Sequence, residues 1–128
     1  MLLKKEMSKI KITESKLLLD SIIESIKEYK GNSITILDFK DIETSVCKYF
    51  VICCGNSKVH INSISEGIKR YVSKKIQENP WSVEGKSESE WVLMDYSDIV
   101  VHIFQERIRE FYNLEDLWGD ALKTEINN

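Results

Sequence analysis

Residues 90–104 read EWVLMDYSDIVVHIF, two apolar runs that carry a Trp, a pair of Asp and a His. Such groups could supply an acid, a base, a metal ligand or a binding surface. If Tyr96 and Ser97 turn a hairpin, Asp95 faces Asp98, Leu93 faces Val100 and Trp91 faces His102, because opposed residues of an antiparallel pair share a face. One face is then aliphatic, with Val92, Met94, Ile99, Val101 and Ile103. The other holds Trp91, Leu93, Asp95, Asp98, Val100, His102 and Phe104. Two opposed carboxylates repel by up to about 1 kcal/mol when exposed, a cost that a metal, a shared proton, a basic partner or solvent would relieve. Taken singly, the Asp residues also suit a turn, His102 a hydrogen-bonded sheet and Trp91 a core. Taken together, rings beside carboxylates match an interface with an apolar centre and a polar rim.

A second candidate is CCGNS, residues 53–57, which leads from an apolar run into a helical pattern. Gly55 at the turn and Ser57 at the cap could cradle phosphate on backbone N–H groups, yet the same residue types serve a plain turn and N-cap. Metal-dependent nucleotidyl transfer needs a following carboxylate pair, typically Asp-x-Asp, to hold Mg²⁺ against the phosphates. WSVEG (81–85) offers only Glu84, and Asp95 and Asp98 lie three apart across a turn. Cys54 has no evident base to activate it. His60, in the first helical turn, reads as a capping or partner-contact residue.

These groups need elements to position them. TESKLLLDSIIESIKEY (13–29) places Leu18, Leu19, Ile22, Ile23, Ile26 and Tyr29 on one side of a helix capped by Thr13 and stopped by Gly31. SITILDF (33–39) and KYFVICC (48–54) have strand composition and are joined by the polar KDIETSVC. The period then changes, and Val59, Ile61, Ile64, Ile68, Val72 and Ile76 form the stripe of a helix capped by Ser57. A strand at 81–85, the hairpin and a last helix over 105–122 complete the order α β β α β β β α. Each amphipathic helix must cover an apolar sheet face, so the expected fold is α/β (α+β), a mixed sheet of about five strands packed by helices. Residues 1–12 read as a poorly ordered extension, 13–122 as a single domain and 123–128 as a tail.

With 42% hydrophobic and 30% charged residues, the composition is that of an ordinary globular chain. The 18 Lys and Arg against 21 Asp and Glu argue against a chain devoted to phosphate contacts, so little direct nucleic-acid binding is expected. Cys47, Cys53 and Cys54 lack disulfide or zinc spacing and read as buried thiols in a reducing cytosol. No stretch reaches the roughly 18 apolar residues of a membrane span, and the expected location is cytoplasmic.

YFVICCGNSKVHINSISEGI, VEGKSESEWVLMDYSDIVVHIF and REFYNLEDLWGDA occur in that order and together resemble the Iojap family, also called ribosomal silencing factor S, through about residues 13–121. Ser97 stands where relatives usually carry Gly, and Cys53 where Ala is commoner. The resemblance implies a nucleotidyltransferase-like fold without the transferase metal ligands, no enzymatic activity and no cofactor. It further implies binding to the large ribosomal subunit through ribosomal protein fourteen of its intersubunit face. Joining of the small subunit would thereby be obstructed and translation repressed; organellar relatives assist late assembly of the large subunit. The contact carries over to Trp91, Asp95, Asp98 and His102, with Glu84 and Tyr96 beside them. Arg109, Tyr112, Leu114, Glu115, Leu117 and Trp118 also match the family, as a second contact, a homodimer surface or a helix covering the core. A nucleotide-binding enzyme using Gly55 and Ser57 is the competing reading.

Overall fold

The computed structural model describes residues 2–43 and 47–127. The elements are α1 (Leu2–Glu28), β1 (Asn32–Asp38), β2 (Tyr49–Gly55), α2 (Lys58–Ile76), β3 (Ser82–Glu84), β4 (Trp91–Asp95), β5 (Ile99–Gln105), α3 (Glu106–Tyr112), α4 (Leu114–Leu117) and β6 (Leu122–Ile126). The strands form one sheet in the order β3-β4-β5-β2-β1-β6. Its central pair, β5 and β2, is parallel and every other neighbouring pair is antiparallel. A parallel pair needs a long crossover, and α2 lies within that connection.

Strand alternation divides the sheet into two faces. Ile34, Val51, Cys53, Val92, Met94, Ile99, Val101 and Ile103 turn to one side, where they pack against Leu18, Ile22 and Ile26 of α1 and Ile61, Ile64, Ile68 and Val72 of α2. Full burial of each such aliphatic side chain contributes roughly 1.5–3 kcal/mol, so this layer is the main core. Ser57 caps α2 as expected, its hydroxyl accepting from the His60 N–H at 3.0 Å. Val59, however, points away from the stripe and is 80% exposed.

Three local expectations change. α1 starts at Leu2, so Thr13 lies within the helix and the stretch 2–12 continues it. At its C-terminal end the left-handed residue is Lys30 (φ 66°), and the Gly31 N–H donates to the Ile26 carbonyl at 2.9 Å. The last helix breaks at Asn113, whose φ of 48° separates α3 from α4. Beyond them, the expected tail pairs with β1 as a sixth strand, Ile34 opposite Ile126 and Asp38 opposite Leu122. That pairing satisfies backbone groups that would otherwise leave β1 an open edge. Within the connector KDIETSVC, residues 44–46 lie outside the described residues.

Candidate functional site

The second face of the sheet carries Glu84 from β3, Trp91, Leu93 and Asp95 from β4, Val100, His102 and Phe104 from β5, and Phe50, Ile52 and Cys54 from β2. The hairpin residues therefore segregate as the alternation requires, but each partner on β5 lies two residues further along than expected, a shift that keeps the faces. Asp95 pairs with Val100, Leu93 with His102 and Trp91 with Phe104. The cause is the turn. Ser97 has φ 74° and the Asp98 N–H donates to the Tyr96 carbonyl at 3.0 Å, a tight γ-turn that makes Ser97 and Asp98 the loop between Tyr96 and Ile99.

Asp95 and Asp98 are consequently not opposed. The Asp98 carboxylate accepts from the Ser15 hydroxyl of α1 at 2.8 Å and lies 3.6 Å from Lys48 Nζ. Asp95 accepts from the Ser97 N–H at 2.7 Å and stays half-buried on the sheet face. The expected like-charge clash is absent because the turn separates the two groups and a lysine accompanies one of them.

Trp91 stands at the centre of an aromatic stack. Its ring lies 4.9 Å from Phe104 and 4.8 Å from Tyr112, and its indole Nε1–H donates to Nδ1 of His102 at 3.0 Å. His102 itself is only 3% exposed. Accepting at Nδ1 places the proton of the neutral ring on Nε2, which has no partner among the described residues. Burial depresses the His102 pKa to about 4, so the ring is neutral at physiological pH. Tyr96, 5% exposed, packs into the helix-side core. Neither residue reaches the surface, so neither can make the contact expected of it; His102 instead positions Trp91 from beneath.

Half of this face is roofed by the chain itself. Leu114 is buried against Leu37, Ile52, Cys54 and Phe104, with Ile108 and Trp118 packed beside them. Trp118 meets Phe39 and Phe50 edge to face at 5.2 and 6.1 Å. Arg109 clips the roof down: Nε donates to Glu115 at 2.9 Å, Nη1 to the Ser33 carbonyl at 2.5 Å and Nη2 to the Thr35 hydroxyl at 3.0 Å. Arg109, Leu114, Glu115 and Trp118 thus hold structure, whereas Tyr112 and Leu117 are 51% and 71% exposed. What stays open is the half around Glu84, Leu93, Asp95 and Val100, bordered by Trp91. Phe50 borders it too, and no local pattern pointed there, because its place follows from the parallel pairing of β2 with β5.

This fold has known counterparts. The family model described as "Ribosomal silencing factor during starvation" matches residues 12–128. The chain belongs to this ribosomal silencing factor family, RsfS or Iojap. A Halalkalibacterium halodurans protein named ribosomal silencing factor RsfS is 34% identical over 85% of this chain and 92% of its own length. The Mus musculus protein named mitochondrial assembly of ribosomal large subunit protein 1 is 28% identical over 78% of this chain and 44% of its own. A Chromobacterium violaceum crystal structure superimposes with a TM-score of 0.76 at 28% identity, covering 81% of this chain and 85% of that one.

In this RsfS chain, the Gly55–Ser57 turn borders a shallow cavity of about 370 Å³ with Glu106 and Arg107 on its rim. Two amides at this turn are engaged within the chain: the Asn56 N–H donates to Nδ1 of His60 at 2.9 Å and the His60 N–H to the Ser57 hydroxyl. His60 Nε2 then reaches the Tyr29 carbonyl at 2.9 Å, which ties the start of α2 to the end of α1. Among the described residues, no group of three His, Cys, Asp or Glu could hold a metal ion. All three cysteines are buried. Burial pushes the Cys47 thiol up to about 11 and raises Cys53 and Cys54, the Arg109 guanidinium offsetting only part of the latter. They are protonated, poor nucleophiles. No helix among the described residues is long and apolar enough to cross a membrane.

Proposed function

We propose that this chain is a non-catalytic cytoplasmic blocker that binds the large ribosomal subunit through its ribosomal protein fourteen and excludes the small subunit by bulk. The observation that supports it is the open half-face: a Trp braced by a buried His, flanked by Leu93, Val100 and the carboxylates of Asp95 and Glu84. An apolar centre with an acidic rim suits a basic ribosomal protein, for which the rim sets register and rate and the indole supplies contact area. His102 braces Trp91 from behind, while Asp98, tied to Ser15 of α1, and Tyr96 in the helix-side core hold the end of the hairpin.

Cosedimentation with purified large subunits tests this. The double change Glu84→Lys, Asp95→Lys should abolish binding without unfolding the chain, since both side chains sit at the rim. Undiminished cosedimentation of that variant would remove this face from consideration.

A second reading, assistance in large-subunit assembly, is favoured by the name of the mouse relative. Depleting the protein would then accumulate immature large subunits, whereas a pure silencing role would leave subunit maturation untouched. The exposed Tyr112 and Leu117, with Phe111 at 79% exposure, offer a second contact or a homodimer surface, which sedimentation equilibrium of a Phe111→Ser, Leu117→Ser variant would resolve.

A further inference from the structure

The helix layer presents its outer side away from the docking face, and there the charge balance reverses. Residues 16–30 and 66–75 together hold seven Lys and Arg against four Asp and Glu, which leaves eleven against seventeen in the rest of the chain. The net charge of −3 is an average over two unlike surfaces. Between α1 and α2 runs a groove of about 620 Å³ lined by Glu28, Tyr29, Arg70, Tyr71, Lys74 and Lys75.

The tyrosines position the cations. The Arg70 guanidinium lies 5.8 Å from the centre of the Tyr29 ring and donates to its hydroxyl at 3.2 Å; Lys75 Nζ lies 5.5 Å from the Tyr71 ring centre. Glu24 takes Lys75 at 2.5 Å and the Tyr71 hydroxyl at 2.8 Å, so Lys75 is neutralised. Arg70 and Lys74 form no ion pair with a carboxylate among the described residues. They stand four residues apart on one face of α2, about 6 Å along the axis, comparable to the separation of successive phosphates on one strand. We infer that this groove seats the phosphate backbone of RNA. The rings are occupied, one packed beneath Gly67 and the other beneath Lys75, and are not available to stack bases. Recognition is therefore of backbone and shape rather than sequence. The exposed side chains of α2 around the groove are charged or polar, which disfavours insertion into a lipid surface. The inference is independent of the protein contact proposed above, since it concerns the other side of the molecule.

Fluorescence anisotropy of the full chain with a labelled RNA duplex of arbitrary sequence, over a salt series, tests it. Wild type should bind at low salt. Arg70→Glu, Lys74→Glu should weaken binding at least tenfold and flatten the slope of log affinity against log salt by about 1.8, the loss of two phosphate contacts. The charge-matched variant Lys40→Glu, Lys58→Glu should change affinity less than threefold. Absence of wild-type binding, equal losses in both variants, or binding to anionic vesicles but not to RNA would each overturn the assignment. Binding of the isolated ribosomal protein, measured in parallel, should be unchanged by Arg70→Glu, Lys74→Glu; its loss would assign the groove to protein instead.

Discussion

Trp91 and His102 are joined by one hydrogen bond, the indole Nε1–H donating to Nδ1 at 3.0 Å, across the diagonal between β4 and β5. The bond couples a surface ring to a buried one. It holds the indole flat over Phe104 and commits the imidazole to its neutral form.

That commitment makes stability depend on pH. Burial lowers the folded pKa of His102 from 6.5 to about 4, so between these values the unfolded chain binds the extra proton and the folded chain resists it. Stability is unaffected above pH 6.5 and falls as pH drops through this window, by about 2 kcal/mol at pH 5. His102→Gln keeps an acceptor for the indole but cannot titrate. Urea denaturation at pH 7 and pH 5 should show a smaller acid loss in this variant than in wild type; equal losses would place the imidazole in solvent.

Arg109 connects α3 to β1 and to α4, and its side chain is 12% exposed. Removing one partner of a buried, hydrogen-bonded pair costs about 3–5 kcal/mol; the second cation at Glu115, Lys123 at 3.6 Å, brings the expectation for Arg109→Ala toward the lower end. Hydrogen exchange should quicken first in β6 and α4, before the helix-side core. Uniform quickening through the molecule would mean that the roof has no separate stability.

Ser97 occupies φ 74°, a region that costs a residue with a side chain roughly 1–2 kcal/mol and glycine almost nothing. Glycine also adds freedom to the unfolded chain, which returns part of the gain. Ser97→Gly should therefore raise stability by about 0.5–1 kcal/mol, read as an increase in the thermal midpoint. A decrease would show that the serine side chain stabilises the turn.

Gly67 of α2 packs against the ring of Tyr29, just beyond the end of α1. A Cβ placed there would meet the Tyr29 ring at 2.3 Å. Alanine favours a helix by about 1 kcal/mol over glycine, yet overpacking costs about 1–3 kcal/mol. Gly67→Ala should destabilise by about 1 kcal/mol, and adding Tyr29→Ala should restore part of the loss. If Gly67→Ala were stabilising, the ring would have to lie elsewhere.

Several features were legible along the chain because side-chain spacing reports which side a residue takes. The period of two separated Val92, Met94, Val101 and Ile103 from Trp91, Leu93, His102 and Phe104, and the pairing confirms that division. The period near 3.6 located the α2 stripe apart from Val59, and CCGNS marked the strand-to-helix turn with Ser57 as its cap. The family signatures lay in the same segments.

Tertiary structure decided the rest. Nothing local made His102 an anchor rather than a contact, since its burial comes from Phe50 on a strand about fifty positions earlier and from the roof that follows. The two-residue register difference arose from a backbone torsion at Ser97, and the fate of Asp98 from Ser15 and Lys48 on distant elements. The expected tail became β6 only because β1 had an unpaired edge to receive it. Periodicity encodes orientation within an element, which is a local property of the backbone. Which surfaces remain open depends on how elements far apart in the chain meet, and only the folded arrangement specifies that.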